Sequence, residues 1–166
     1  MNNKTDPMGR VIADYWKKKK ADMEHSIIDK YLEKSYWIID ILPRQVLANA
    51  QGQYFKIEDY FLEKPQFSMI CEKFCRVLLK LNCYYDISVY NALNEWSDNP
   101  QPASIEKWLL SGDSVYVVMK TEDAMIGFNG DDLYMTLYNA NGNLLELVKS
   151  LAISEGLFVW KPDNQD

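Results

Sequence analysis

Two adjacent aspartates, Asp131 and Asp132, are the residues of this sequence that most resemble a site for metal binding or acid chemistry. They follow Asn129-Gly130, between two apolar runs. A calcium loop of the EF-hand type needs oxygen ligands at regular alternation and a distant glutamate, and the segment lacks both. Asn-Gly between strand-like runs instead predicts a hairpin, because such turns need residues that tolerate positive φ. We therefore expect both aspartates to lie at a hairpin tip and to face water.

Two further carboxylates lie within predicted strands: Asp40 in residues 36–43 and Asp86 in residues 84–91. Acid–base catalysis requires two such groups to converge in space, which the sequence alone does not establish. In the second strand, alternation places Asp86 on one face with two tyrosines and a serine, an arrangement that suits a polar cleft. No catalytic residue is assigned. The predicted ligand-binding residues are Asp40, Tyr84, Asp86, Ser88 and Tyr90.

The residue types for nucleophilic or metal chemistry are few. The chain has one histidine, His25, and three cysteines, Cys71, Cys75 and Cys83, without the paired Cys-x-x-Cys spacing of zinc sites. We interpret the cysteines as reduced thiols that pack in the core. The seven glycines form neither a dinucleotide-binding nor a P-loop motif. The sequence predicts no metal and no cofactor.

Charge is unevenly distributed along the chain. Residues 1–81 carry 14 Lys/Arg against 11 Asp/Glu, whereas residues 82–166 carry 4 against 13. A strongly acidic half disfavours nucleic acid and favours a partner with a basic surface. Trp96, in a predicted loop over 94–103, is either packed on the core or exposed as a binding anchor. The predicted partner-binding residues are Trp96, Asp98, Glu122, Asp123, Asp131 and Asp132.

Hydrophobic periodicity supplies the elements that position these residues. An N-terminal helical segment over 7–34 opens at Pro7 with Asp6 as N-cap, and its apolar stripe comprises Met8, Val11, Ile12, Tyr15 and Trp16. Further helices are predicted over 54–64 (a strand is the alternative), over 67–81 with Asn82 at the end, from Ser104 to Gly112, and from Asn141 or Asn143 to Gly156. Strands are predicted over 36–43, 84–91, 114–120, 124–128, 133–139 and 157–160, with a loop over 44–53.

The elements indicate an α+β fold. We expect a mainly antiparallel sheet of about six strands covered by helices, ending in a β-meander, a helix and a closing strand. The 166 residues fit a single domain, with residues 1–6 and 161–166 frayed. No run approaches the roughly 18 apolar residues of a membrane span, and no signal peptide is recognisable, so we expect a cytoplasmic protein. The oligomeric state is left open.

Three functional hypotheses follow. The first is a non-enzymatic protein-binding module, in a concrete form an immunity- or antitoxin-type inhibitor that covers a basic surface. The second is a small-molecule-binding protein or enzyme with its cleft near Tyr84–Tyr90. The third is a structural or adaptor subunit that docks through its N-terminal helix. The absence of a catalytic signature favours binding over catalysis.

Overall fold

The computed structural model describes residues 7–163, without the side chains of residues 7–11, 13 and 24. The chain divides into two compact units, with the boundary between Glu33 and Lys34. The first unit contains α1 (Pro7–Leu32), a helix that runs without a break. Ile28 and Tyr31 are its buried apolar side chains among those described. The predicted N-cap, Asp6, and the segment 1–6, which was predicted to fray, lie outside the described residues.

The second unit confirms the α+β fold and the mainly antiparallel sheet. Its four helices are α2 (Tyr54–Leu62), α3 (Gln66–Asn82), α4 (Pro102–Leu110) and α5 (Gly142–Ser154). Its strands are β1 (Tyr36–Asp40), β2 (Ser88–Tyr90), β3 (Trp96–Asp98), β4 (Val115–Met119), β5 (Ala124–Phe128), β6 (Tyr134–Tyr138) and β7 (Phe158–Trp160). They form one sheet in the order β3-β2-β4-β5-β6-β1-β7, and each neighbouring pair is antiparallel. Within residues 7–163 there are therefore seven strands, one more than predicted.

The core of this unit lies between three helices and the sheet. α3 carries apolar residues at helical spacing and buries eight of them: Phe67, Ile70, Cys71, Phe74, Cys75, Val77, Leu78 and Leu81. They belong to one cluster with Ile105 and Leu109 of α4, with Leu144, Val148 and Ala152 of α5, and with inward residues of the strands. Asn141, one of the two predicted caps, caps α5, because its Oδ1 accepts the N–H of Leu144 at 2.9 Å.

Two predictions around β2 are wrong. The strand expected over 84–91 is reduced to Ser88–Tyr90, since hydrogen bonds of the last α3 turn extend to Tyr84 and Tyr85. The loop expected over 94–103 contains β3, which pairs with β2 through a turn where Asn94 has φ 59°. The polar sequence of β3 conceals it, because Trp96, Ser97 and Asp98 show no apolar alternation.

Two element boundaries also differ from the prediction. The strand expected over 36–43 ends at Asp40, whose Oδ1 accepts the N–H of Leu42 at 3.1 Å and turns the chain. α4 begins at Pro102 and not at Ser104, because proline suits the first helical turn. Of the segment 161–166, which was predicted to fray, residues 164–166 lie outside the described residues.

The hairpin between β5 and β6 is confirmed, but the expected reason for its Asn-Gly pair is wrong. The backbone N–H of Asp132 donates to the carbonyl of Asn129 at 3.0 Å, which closes the turn. Neither Asn129 nor Gly130 has positive φ. Instead, a Cβ atom on Gly130 would lie 1.7 Å from the carbonyl oxygen of Gly112. Glycine is needed here because two backbone segments approach each other closely.

Candidate functional site

The two strand carboxylates, Asp40 and Asp86, do not converge. Asp40 ends β1, and Asp86 lies just before β2. Strands β6, β5 and β4 separate β1 from β2, so four strand spacings, roughly 19 Å, lie between them. The alternating directions also make β1 and β2 parallel, which puts Asp40 and Asp86 at opposite ends of the sheet. They cannot act as an acid–base pair.

Asp40 lies in a polar cluster at the end of β1. It is half-buried and opposite Tyr134 in the β1–β6 register. Burial raises the pKa of Asp40, and the Glu58 carboxylate contributes in the same direction, whereas hydrogen bonds from the backbone of Ile41 and Leu42 and from Trp160 oppose the rise. Asp40 is therefore the candidate carboxylate whose proton affinity the fold increases.

Two tyrosines complete this Asp40 cluster. The hydroxyl of Tyr54 donates to Oε2 of Glu58 at 2.6 Å, one turn further along α2. Burial, and then this bond to Glu58, raises the pKa of Tyr54; burial followed by Asp132 raises that of Tyr134. The cavity that these side chains line measures only about 40 Å³. That volume holds a few water molecules, so a substrate has no room among them.

A larger groove lies beside the Asp40 cluster, between the loop after β1 and the end of the described chain. It has a volume of about 630 Å³, in the usual range of small-ligand sites. Nε1 of Trp160 donates to the carbonyl of Leu42 at 3.1 Å, and the N–H of Asp163 donates to Oε1 of Gln45 at 3.3 Å. Its lining residues are Leu42, Pro43, Arg44, Gln45, Val46, Leu47, Asn49, Ala50, Trp160, Lys161 and Asp163. We call it the 42–50 groove.

The 42–50 groove is cationic in an acidic protein. Arg44 and Lys161 line it with a single carboxylate, Asp163. The structure shows no ion pair for either cation among residues 7–163. Sequence reasoning missed this groove, because the bond between Trp160 and Leu42 joins positions 118 residues apart and leaves no local pattern.

The cleft predicted near Tyr84–Tyr90 forms only in part. Asp86 and Ser88 line an open cleft of about 320 Å³ together with Asp98 and Lys120. Tyr84 and Tyr90 are not among its lining residues. Tyr84 is 65% exposed in the turn after α3, and Tyr90 is buried. The strand face expected to bring all four candidates together does not exist.

The polar groups of this cleft bond to one another. Ser88 donates its hydroxyl to Asp98. Nδ2 of Asn99 donates to Oδ1 of Asp86 at 2.9 Å, and the same side chain accepts the N–H of Ile87 at 3.0 Å. Lys120 lies 3.9 Å from Asp98, and both side chains are about three quarters exposed, so their ion pair is weak. These bonds explain the cleft as the local structure of the β2–β3 hairpin.

The predicted partner-binding residues are divided between the two ends of the sheet. Asp98, Glu122 and Asp123 lie at the end where β2 begins, and Glu122 accepts a 2.6 Å hydrogen bond from Asn141. Asp131 and Asp132 lie at the other end, in the turn between β5 and β6.

Trp96 lies at the same end of the sheet as this turn, because it pairs with Tyr90. Its ring packs 5.1 Å from the Tyr90 ring, and its indole N–H is buried without a hydrogen-bond partner in the described part of the chain. The predicted carboxylates therefore do not surround Trp96.

An apolar surface that the sequence did not indicate lies on α2. The exposed side chains of this α2 surface are Tyr54 (36% exposed), Phe55 (77%), Ile57 (44%) and Tyr60 (53%). The helix has no buried residue, although Phe61 and Leu62 pack partly against the core. The sequence left 54–64 open between helix and strand, because the alternation of its aromatic residues also permits a strand. The apolar residues of the helix do not follow one helical stripe. That irregular spacing is itself the signal of apolar side chains that cannot all pack inward.

The thiols do not form a site. Cys71 and Cys75 are buried on α3, and burial raises the pKa of Cys71 to about 12 and that of Cys75 to about 11. Both are therefore protonated and poorly nucleophilic at neutral pH. Cys83 is exposed. Within the described residues no group of three or more His, Cys, Asp or Glu side chains is placed to hold a metal ion.

Comparison of the chain with protein-family models, with curated proteins and with solved structures finds no match. Among the described helices, none combines the length and the apolar character needed to cross a membrane.

Proposed function

We propose that this chain is a non-enzymatic protein-binding module that recognises a partner with a basic surface. The observation that carries the proposal is the α2 surface, where an aromatic and apolar helix leaves its side chains in water. Exposed apolar surface of this kind, surrounded by polar groups, is typical of protein interaction sites. Tyrosine and phenylalanine are also enriched in interface cores, where they contribute much of the affinity.

Charge around α2 specifies the chemistry of the partner. Residues 54–64 carry three carboxylates, Glu58, Asp59 and Glu63, against two cations, Lys56 and Lys64. Asp132, at the hairpin tip, is close enough to Tyr134 to raise its pKa, which places another carboxylate beside the Asp40 cluster. Carboxylates around an apolar centre increase the association rate with a cationic surface and disfavour acidic competitors. An inhibitor of the immunity or antitoxin type is the concrete form of this proposal.

The test is affinity capture with the full chain from native lysate at low and high salt, with partners identified by mass spectrometry. We expect one stoichiometric basic protein that is retained at low salt and weakened at high salt. Phe55→Ser should reduce its binding at least about tenfold, as expected for an aromatic interface residue. Ile153→Ser is the matched control, because Ile153 is 67% exposed on α5, outside the α2 surface.

Two results would overturn this proposal. One is equal loss of binding with Phe55→Ser and Ile153→Ser. The other is the absence of any partner that depends on Phe55 at either salt concentration. A partner that binds equally well to Phe55→Ser but poorly to variants of Asp98 and Glu122 would place the interface at the opposite end of the sheet, where three of the six predicted partner-binding residues lie.

A second function, small-ligand binding, is favoured by the 42–50 groove. Its apolar wall, its amides and its cations Arg44 and Lys161 suit a small anion with an apolar body. We expect phenyl phosphate to raise the melting temperature of the wild-type protein and to raise that of Arg44→Gln less. Lys107→Gln on α4 is the control for lost charge. An equal response of all three proteins, or no response at all, would exclude this function for phenyl phosphate.

A further inference from the structure

The N-terminal helix α1 has an exposed apolar stripe. Ile12 is 53% exposed, Trp16 58%, Met23 62% and Ile27 42%. At 100° per residue these four positions fall within about 60° of the helix circumference. Ile28 and Tyr31, which are buried, lie on a different part of the circumference. The stripe therefore extends over about four turns of helix, with most of its apolar area in water.

The two halves of α1 carry opposite net charges. Residues 7–20 contain five cationic side chains and one anionic one, a net charge of +4. Residues 21–33 contain one cationic and four anionic side chains, a net charge of −3 with His25 neutral. A second α1 that runs antiparallel would place each half against the oppositely charged half of its partner. A parallel second α1 would place like charges together along the whole contact.

The stripe is also self-complementary when a second copy of the helix runs antiparallel to it. When two copies pair so that residue i lies opposite residue 39 − i, Ile12 meets Ile27 and Trp16 meets Met23. Both contacts recur twice by two-fold symmetry. Trp16 against Met23 brings a thioether to an aromatic ring, a favourable contact in protein cores. A two-fold interface requires this self-complementarity.

In this register, opposite charges beside the stripe lie within reach of each other. Lys19 and Asp22 flank the stripe on one side, because three residues rotate a helix by 300°. An antiparallel two-fold axis puts each side of the stripe against the same side of the partner. Lys19 of one copy is then level with position 20 of the other, and it lies between the second Lys19 and the second Asp22, which is two residues, or roughly 3 Å, away along the axis. The ammonium of Lys19 lies 5.3 Å from the centre of the Trp16 ring, at the edge of the stripe where that pair would form.

We infer that the occupant of this stripe is a second copy of the chain, and that two α1 helices pair antiparallel in an isologous dimer. From Ile12 to Ile27 the contact is roughly 22 Å long, at 1.5 Å per residue. A contact of this length is small for a stable interface, so the dimer dissociates at about micromolar concentration. This inference is independent of the α2 surface and of the partner proposed above.

Sedimentation of the full chain from about 1 to 100 μM tests the inference. The wild-type protein should shift from monomer to dimer across this range, with stronger association at low salt. Trp16→Glu should weaken the dimer at least about tenfold, since it removes an aromatic contact and buries a charge twice per dimer. Phe55→Ser, at another exposed aromatic residue, should leave the dissociation constant unchanged.

Charge reversal decides the orientation of the helices. Lys19→Asp and Asp22→Lys should each weaken the dimer, because each places like charges across the two-fold axis. The double variant should recover association relative to both single variants, since the pair is restored in the opposite sense. In a parallel dimer residues 19 and 22 do not meet, so the double variant would not recover.

Four outcomes would overturn the inference: a monomer throughout the concentration range, a dimer that survives Trp16→Glu, a double variant weaker than both single variants, or loss of the dimer on Phe55→Ser. A monomer that instead co-sediments with phosphatidylserine vesicles through Trp16 would assign the stripe to a membrane surface and exclude the dimer. Because Trp16 is exposed, its substitution should leave the circular dichroism spectrum unchanged. If Trp16→Glu nevertheless unfolds the chain, the charge-reversal series alone decides.

Discussion

Helices α2 and α3 follow each other in the chain, separated by Glu63–Pro65, and both are rich in apolar residues, but their environments differ completely. α3 buries eight residues, whereas α2 buries none. In α3 the apolar residues recur every three to four positions and form one face. The apolar residues of α2 are distributed around most of the helix, so only part of them can face the core. Spacing, more than composition, therefore distinguishes a core helix from an interaction surface.

The largest expected effect is a difference in stability. Truncating a phenylalanine of α3 should destabilise the protein far more than truncating a phenylalanine of α2. Phe74 of α3 is fully buried against Phe128, with ring centres 5.8 Å apart. Phe74→Ala should lower the free energy of unfolding by about 3–5 kcal/mol, because it removes buried apolar area and leaves a cavity. Phe55→Ala on α2 should change it by less than about 0.5 kcal/mol. Urea unfolding of both variants measures the difference.

This pair also tests the interpretation of α2. A loss above about 2 kcal/mol for Phe55→Ala would mean that the side chain is buried in solution. The α2 surface would then be part of the core, and the protein-binding proposal would lose the observation on which it depends. A loss below about 2 kcal/mol for Phe74→Ala would contradict the placement of Phe74 in the core.

The second prediction concerns the ion pairs that join α3 to the end of α5. Glu155, whose side chain is only 9% exposed, lies 2.7 Å from Nε of Arg76 and 2.6 Å from Nζ of Lys80. Both cations are nearly half exposed, which limits the strength of the pairs. Glu155→Gln should therefore cost about 1–2 kcal/mol. Glu146→Gln on the same helix, at a 74% exposed position paired with Lys149, should cost less than about 0.5 kcal/mol.

The effect of Glu155 also depends on pH. Burial acts to raise the pKa of Glu155, but hydrogen bonds from Lys80 and Arg76 outweigh it and lower the pKa from its usual 4.5. A lowered folded-state pKa stabilises the protein above the unfolded value, and this contribution is lost as pH falls through the folded value. The difference between wild type and Glu155→Gln should therefore decrease below about pH 4.5. A difference that stays constant down to pH 3 would assign the effect to packing and not to charge.

Much of the second unit could be predicted from local sequence. The helical spacing from Phe67 to Leu81 predicts α3, and Asn141 and Gly156 mark the ends of α5. The alternation in residues 114–139 predicts β4, β5 and β6, because buried and exposed side chains alternate over enough residues to be recognised. Each of these signals arises within one element.

The missed features depend on contacts between distant segments. β3 has only three residues, and they form a strand because they pair with β2. Tyr84 and Tyr85 do not form the start of a strand, because their backbone N–H groups donate to the carbonyl of Leu81 in the last turn of α3. The 42–50 groove depends on Trp160, and Gly130 is explained only by its approach to Gly112. The candidate site was therefore less predictable than the fold, since nearly all of its geometry is non-local.

The smallest expected effect concerns Asp40, beside α2. Its pKa is shifted in the opposite direction to that of Glu155, beside α3. Burial raises the pKa of Asp40 above its usual 3.8, so the folded state binds this proton more tightly than the unfolded chain. Stability contributed by protonated Asp40 is then lost as pH rises from about 3.8 through the folded value. Asp40→Asn removes this penalty, and its amide oxygen can still accept the N–H of Leu42. At pH 7 the variant should be more stable by about 0.5 kcal/mol, with no gain below about pH 3.8.

Asp131→Asn, at the exposed hairpin tip, is the control and should leave stability unchanged at both pH values. If Asp40→Asn is instead destabilising at pH 7, the ionised carboxylate is required by its hydrogen bonds to the backbone and to Trp160. The Asp40 cluster would then be a structural anchor for the 42–50 groove. A gain in stability at pH 7 would mean that the fold retains this carboxylate at a cost, as proteins do at positions used for binding.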